Sequence, residues 1–210
     1  LARLRPSWTA GKAHFATVSG ILTTRPALAR WVDRCIPEVD MITTKSYQLR
    51  PNPGYREPVV VEAEVGCFGN AVGLRNPGME EGVRELRELR RRHELRALLC
   101  VSLSASSAEE FALLAPRFGP VADLLALNLS CPHALAGYGA AIGQDARTVA
   151  AYLRVIRLAT DRPLVAKLTP NVAAIGPIAQ AAVAAGADAL SAVNTVGPEV
   201  FREHDSNLPI

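Results

Sequence analysis

The stretch ADLLALNLSCPH (residues 122–133) runs through apolar residues and then stops on an asparagine, a serine, a cysteine and a proline. Continuous apolar character over about five to eight residues fits a strand buried on both faces, as in a parallel sheet. The polar end then marks where the strand leaves the core. Segments 14–18, 39–43, 98–103, 163–168 and 189–193 share this grammar, so six strands are expected, with the fourth at 122–129. Between them, 26–35, 77–96, 108–117, 146–160 and 173–185 carry helical spacing, and Gly186 reads as the C-cap of the last. Two extended pieces, 58–64 and 66–73, interrupt the second repeat, and PNPGYRE (51–57) reads as a loop.

Six strand–helix alternations point to a parallel α/β fold. Doubly wound sheets and barrels share that pattern; the polar residues separate them. The strands end in Ser19-Gly20, Thr44-Lys45, Ser102–Ser104, Asn128–Cys131, Lys167–Thr169 and Asn194-Thr195. Reactive groups at every C-terminal tip suit a (β/α)₈ TIM barrel, whose tips converge on one mouth. A doubly wound sheet would keep its site at one switch point, usually after a glycine-rich first turn, and no GxGxxG follows strand one. A full barrel takes about 250 residues and eight strands. The expectation is therefore one partial barrel domain over 1–210, truncated after about six βα units, with strands seven and eight absent.

The chain has 210 residues, 49% of them apolar, and a formal charge of only +3. Its basic residues gather at 80–96, where they alternate with glutamates and no aromatics interleave. That is the solvated face of a helix, and a nucleic-acid partner is not expected. Cys35, Cys67, Cys100 and Cys131 form no CxxC pair, so no metal site is expected. With neither a leader nor an apolar run of about 18–20 residues, the expected setting is cytoplasmic, with reduced thiols and no membrane contact.

Four stretches together resemble a known family. They are TTKS (43–46), NAVGLRNPG (70–78), NLSCPH (128–133), and AKLTPNV (166–172) continuing to AGADALSAVNT (185–195). Their order and spacing are similar to those of the class 1 dihydroorotate dehydrogenases, and of the related pyrimidine-reducing domain of dihydropyrimidine dehydrogenases. The resemblance implies FMN across the barrel mouth with a dihydropyrimidine stacked on it. It implies oxidation of (S)-dihydroorotate to orotate in pyrimidine biosynthesis, with hydride passing from C6 to flavin N5 and a proton from C5 to a protein base.

By the same resemblance Cys131 is that base. A thiol with a pKa of about 8.5 can take and return a carbon-bound proton, and Pro132 steadies the loop that carries it. A buried cysteine met alone is usually inert, and Cys35, Cys67 and Cys100 keep that reading. Ser19, Gly20, Lys45, Ser46, Asn128, Lys167 and Val193 fall where the family binds flavin. Lys45, Asn70, Ala71, Val72, Gly73, Leu74, Asn128, Asn194 and Thr195 fall where it binds substrate. The chemistry suits them: a carboxamide offers donor and acceptor to a ring of alternating C=O and N–H, and a lysine near flavin N1/O2 steadies charge arriving with hydride.

His133 departs from the dihydroorotate enzymes, and with GQD (143–145) it is closer to the dihydropyrimidine dehydrogenases. A uracil- or thymine-reducing enzyme is the alternative, and a non-catalytic remnant a third reading. His133 itself is open between a substrate or proton-relay role and an ordinary loop residue. The family holds the flavin phosphate on loops after strands seven and eight, so this chain alone is expected to keep flavin poorly. A homodimer and an iron–sulfur/FAD electron-transfer subunit are the implied partners. Fumarate, NAD through that subunit, or a quinone remain open as electron acceptors.

Overall fold

A computed structural model of the protein describes residues 13–130 and 140–197. The chain runs β1 (Phe15–Ala16), α1 (Pro26–Cys35), β2 (Val39–Tyr47), β3 (Val60–Glu64), β4 (Cys67–Asn70), α2 (Met79–Arg92) and β5 (Leu98–Leu103). It continues through α3 (Ala108–Phe118), β6 (Leu124–Asn128), α4 (Ala140–Gly143), α5 (Ala146–Ala159), β7 (Leu164–Lys167), α6 (Ile175–Ala184) and β8 (Ala189–Ser191). Six strands form one parallel sheet in the order β1-β2-β5-β6-β7-β8, while β3 and β4 make a separate antiparallel hairpin. Sequential parallel strands joined by helices, curled into a half-barrel, are the (β/α)₈ grammar.

Alternation along the strands sorts the side chains into two layers. Leu99, Val101 and Leu103 of β5 join Leu125 and Leu127 of β6 in the large core beneath the helices. The intervening Leu98, Cys100, Leu124, Ala126 and Val165 form a smaller cluster on the opposite, inner face. The inner set continues by period two to Ser102, Asn128 and Lys167, so these three share the concave face of the sheet. The helices close the outer layer: Phe111, Leu114 and Phe118 of α3 are fully buried, and Phe118 stacks on Tyr47 with centroids 5.0 Å apart.

The two ends of the sheet differ in chemistry. At the N-terminal end, carboxylates take the free strand N–H groups. Asp40 accepts from Phe15 at 3.0 Å, Asp123 from Leu99 at 2.7 Å, and Asp188 from Leu164 at 2.9 Å. Arg90 and Arg157 bind the last two of these carboxylates. In a barrel this end carries stability, and the other end carries the site.

Several boundaries differ from the expected ones. Segment 39–43 extends to Tyr47, because Thr43–Cys100 and Ser46–Ser102 pairings leave β2 one residue longer than β5 across that interval. This is a β-bulge. It puts Ser46, rather than Lys45, opposite Ser102, and it places Lys45 inside the strand rather than beyond it. Thr44 repairs the broken ladder: its Oγ1 accepts from the Ser102 N–H and donates to the Lys45 carbonyl. β1 is reduced to two residues at the sheet edge, and β8 stops at Ser191. Helix α2 ends at Arg92, not 96, since Leu95 is buried on the way into β5. The charged run 80–96 does lie on an exposed helix face, with Glu88 paired to Arg91 at 2.9 Å, while Val83, Leu86 and Leu89 face inward. Gly186 follows α6 with φ +107, as a C-cap glycine should.

Candidate active site

At the C-terminal tips of the strands, polar side chains form one continuous hydrogen-bonded chain. Ser46 Oγ and Ser102 Oγ are 2.8 Å apart, joining β2 to β5. Asn128 Nδ2 donates to Ser46 Oγ at 3.1 Å, which brings in β6. Asn128 Oδ1 accepts from the Ser130 hydroxyl at 3.1 Å and from Asn194 Nδ2 at 3.4 Å. Asn194 Nδ2 also donates to Ser130 Oγ at 2.8 Å, and its Oδ1 accepts from the Thr195 N–H at 2.9 Å. Ser46, Ser102, Asn128 and Ser130 are all buried. Buried polar groups persist only when partnered, so this network fixes each carboxamide's orientation. Among the described residues the carbonyl oxygen of Asn128 is fully used and one Nδ2 hydrogen has no acceptor, so toward a ligand it can donate.

The first turn is wired to the same end. Ser19 Oγ donates to the Thr44 carbonyl at 2.8 Å, Gly20 N–H to Thr23 Oγ1 at 3.1 Å, and Lys45 N–H to the Thr23 carbonyl at 3.4 Å. Gly20 has φ +82, and no heavy atom of the described residues beyond its chain neighbours lies within 4 Å of where a Cβ would stand. Open space beside a backbone turn fits the approach of a flat cofactor. Lys45 is half-buried in the bulge, and its ammonium has no hydrogen bond or ion pair among the described residues. Burial lowers its pKa from the ordinary lysine value; Glu85 opposes that, while Arg25 and Arg75 add to it. Lys167 lies beside Asn128 in the sheet register, and Ser191 flanks it on β8.

The segment 70–78 is held next to this mouth by a second network. Asn76 is buried: its Oδ1 accepts from the N–H groups of Gln48 and Gly78, and its Nδ2 donates to Gln48 Oε1 and the Leu74 carbonyl. Asn52 Nδ2 reaches the same Gln48 oxygen and the Gly73 carbonyl. Gln48 directly follows β2, so the segment is anchored at the strand's C-terminal end. Arg75 staples the 53–57 loop to it, bonding Pro53 O, Tyr55 O and Glu57 Oε1. Gly73 (φ +67) is required, since a Cβ there would meet the Tyr55 backbone N at 2.9 Å. Ala71 N–H is used in the hairpin, on Val59 O at 2.8 Å. The N–H groups of Val72, Gly73 and Leu74 have no partner among the described residues. Gly73 and Leu74 both have positive φ; successive free N–H groups around such a turn make an anion-binding nest.

Of the residues expected from sequence, Ser46, Asn128, Asn194 and Thr195 thus meet in one network, with Ser19, Gly20, Lys45 and Lys167 at the same strand tips. Val193, 49% exposed, precedes Asn194, and Asn70 ends β4 without joining the network. Cys131 and His133 lie outside the described residues. Ser102 and Ser130 were expected at strand tips but without a binding role, and Asn76 and Gln48 were not expected in the site. For Ser102 a signal existed, its place at a strand tip on the inner parity.

Residues 12–206 match the sequence profile of the family described as dihydroorotate dehydrogenase. Relatives include proteins named dihydroorotate dehydrogenase B (NAD(+)), catalytic subunit. The one from Methanothermobacter thermautotrophicus is 46% identical over 169 residues, 80% of this chain and 54% of the relative. That from Pyrococcus abyssi is 42% identical, covering 85% and 57%, and that from Methanopyrus kandleri 42%, covering 93% and 62%. The chain spans little more than half the length of the first two. Strand order, the polar tips and these matches agree: the chain belongs to the dihydroorotate dehydrogenase family.

Proposed function

We propose that this chain carries most of the catalytic face of an FMN-dependent enzyme that oxidises (S)-dihydroorotate to orotate. The observation that carries this reading is the turn at Val72–Gly73–Leu74, whose N–H groups have no partner among the described residues and which Asn76 and Asn52 tie to Gln48, at the end of the strand that carries the half-buried Lys45. Orotate bears a carboxylate that uracil lacks, and an anion is the ligand such a cradle favours. The donor geometry of Asn128 suits a ring carbonyl, and Asn194, Thr195 and Asn70 are the further amide and hydroxyl groups assigned to the pyrimidine ring.

Bound FMN would supply the hydride acceptor at N5. Ser19, Gly20, Lys45, Ser46, Asn128, Lys167 and Val193 are the residues assigned to hold it, and polar tips around an open Gly20 turn fit a flat heterocycle. Lys45 and Lys167 would balance negative charge at the mouth, an electrostatic contribution made without reorganisation. Cys131, one residue past the buried Ser130, is assigned the C5 proton. The relatives' naming as catalytic subunits of an NAD(+)-linked enzyme supports an electron-transfer partner subunit and NAD as the final acceptor.

Cys131→Ser tests the assignment. Turnover of dihydroorotate should fall about 10²–10⁴-fold, the usual share of general acid–base catalysis, while flavin content stays unchanged. Undiminished turnover would remove Cys131 from the mechanism.

A further inference from the structure

We propose that Asn171 is a positioning residue that sets the orientation of Asn194. This rests on the reading of Asn194 as a substrate-binding amide. β8 ends at Ser191, so among the described residues no sheet ladder holds 192–197. Their support comes from the turn after β7. Asn171 Nδ2 donates to the Thr195 carbonyl at 3.4 Å, and Asn171 Oδ1 accepts from the Gly197 N–H at 3.2 Å. One carboxamide therefore grips the backbone on both sides of Val196, as a neighbouring strand would. Only a group with a donor and an acceptor on one plane can do this.

Asn171 is itself fixed. Its N–H donates to Oγ1 of Thr169, which is only 1% exposed, and its carbonyl accepts from Gln144 Nε2 at 3.3 Å. The effect passes on through Thr195, whose N–H holds Asn194 Oδ1 at 2.9 Å. With that oxygen held, Nδ2 is turned toward Ser130 and Asn128. No hydrogen bond joins Asn171 to Asn128 or Ser130 among the described residues, so its hydrogen-bonded influence on them runs through the 194–195 peptide.

The test is a double-variant cycle in the flavin-loaded holoenzyme, reading orotate affinity by calorimetry and KM and kcat for dihydroorotate. Asn171→Ala should raise the orotate Kd and the KM about 5–20-fold with kcat changed less than about threefold, the pattern of lost uniform binding. Asn171→Asp keeps the shape but loses the donor, and should do no better. In an Asn194→Ala background, Asn171→Ala should add less than about twofold, because the residue it orients is gone. Unchanged affinity in both Asn171 variants, or the full loss repeated in the Asn194→Ala background, would overturn the proposal. Asn194→Ala binding orotate as tightly as the unaltered protein would instead overturn the assignment of Asn194 and this inference with it. Failure of the unaltered holoenzyme to bind orotate would overturn the proposed function.

Discussion

The hydroxyls of Ser46 and Ser102 stand 2.8 Å apart in the core of the sheet, and that pair exists because β2 carries a bulge. Without the extra residue, Lys45 would fall opposite Ser102, placing an ammonium where a neutral hydroxyl now takes the Asn128 amide. Ser46→Ala should leave Ser102 Oγ and Asn128 Nδ2 without their partner in a buried setting. We expect a loss of about 1–3 kcal/mol in urea unfolding, the cost of orphaned buried polar groups. Because the same hydroxyl orients Asn128, orotate binding should weaken as well. A Ser46→Ala protein as stable as the unaltered one would mean that the pair contributes no net stability.

Lys45 gives a pH prediction. Burial, then Arg25 and Arg75, lower its pKa, and Glu85 raises it. In the proposed function the ammonium faces the orotate carboxylate, so a bound anion raises the pKa again. Orotate affinity should be fully present below the free-state pKa and fall as pH rises through the bound-state value. Glu85→Gln removes the raising influence, so that fall should move to lower pH. Affinity measured across alkaline pH for both proteins checks the direction; a shift to higher pH would contradict it. Lys45→Ala should cost about 10²–10³ in kcat/KM, the scale for losing a preorganised electrostatic group.

Arg75 is nearly half exposed, so its ion pair with Glu57 contributes little stability. Its bonds to Pro53 O and Tyr55 O matter for shape, because Tyr55 packs against Gly73 in the free N–H segment. Arg75→Ala should therefore leave thermal unfolding within a few degrees while weakening orotate binding about tenfold. Thermal unfolding and calorimetric titration with orotate separate the two effects.

The cysteines divide by environment. Cys35 and Cys67 are exposed, whereas Cys100 is buried in the inner cluster, and burial pushes its thiol pKa up to about 12. The thiolate is the reactive form. At mildly alkaline pH an alkylating reagent should label Cys35 and Cys67 in the native protein and Cys100 only after denaturation. Peptide mapping by mass spectrometry reads this directly.

Much of the fold was legible because buried parallel strands are apolar throughout and end abruptly. The β6 segment, with Asn128 at its tip, needed nothing but its own sequence. The bulge was not legible: Thr44-Lys45 reads as the polar end of its strand, and only pairing with β5 carries the strand on to Tyr47. Helix α2 ends four residues earlier than its sequence suggests: HELR (93–96) continues the helical pattern, yet burial of Leu95 turns the chain toward β5. Asp40, Asp123 and Asp188 each stand at or just before a strand's apolar run, a repeated signal that went unread. Asn128, Asn194 and Thr195 were assigned through motifs; the bonds of Ser102 to Ser46 and of Asn171 to Thr195 and Gly197 join residues far apart in sequence, which residue type alone does not reveal.

The most direct test of the central claim is anaerobic mixing of the flavin-loaded holoenzyme with dihydroorotate, and separately with dihydrouracil, while following the flavin's visible absorbance. The account predicts rapid bleaching by dihydroorotate, with orotate formed mole for mole, and little response to dihydrouracil. Bleaching by dihydrouracil alone, or by neither compound, would contradict it.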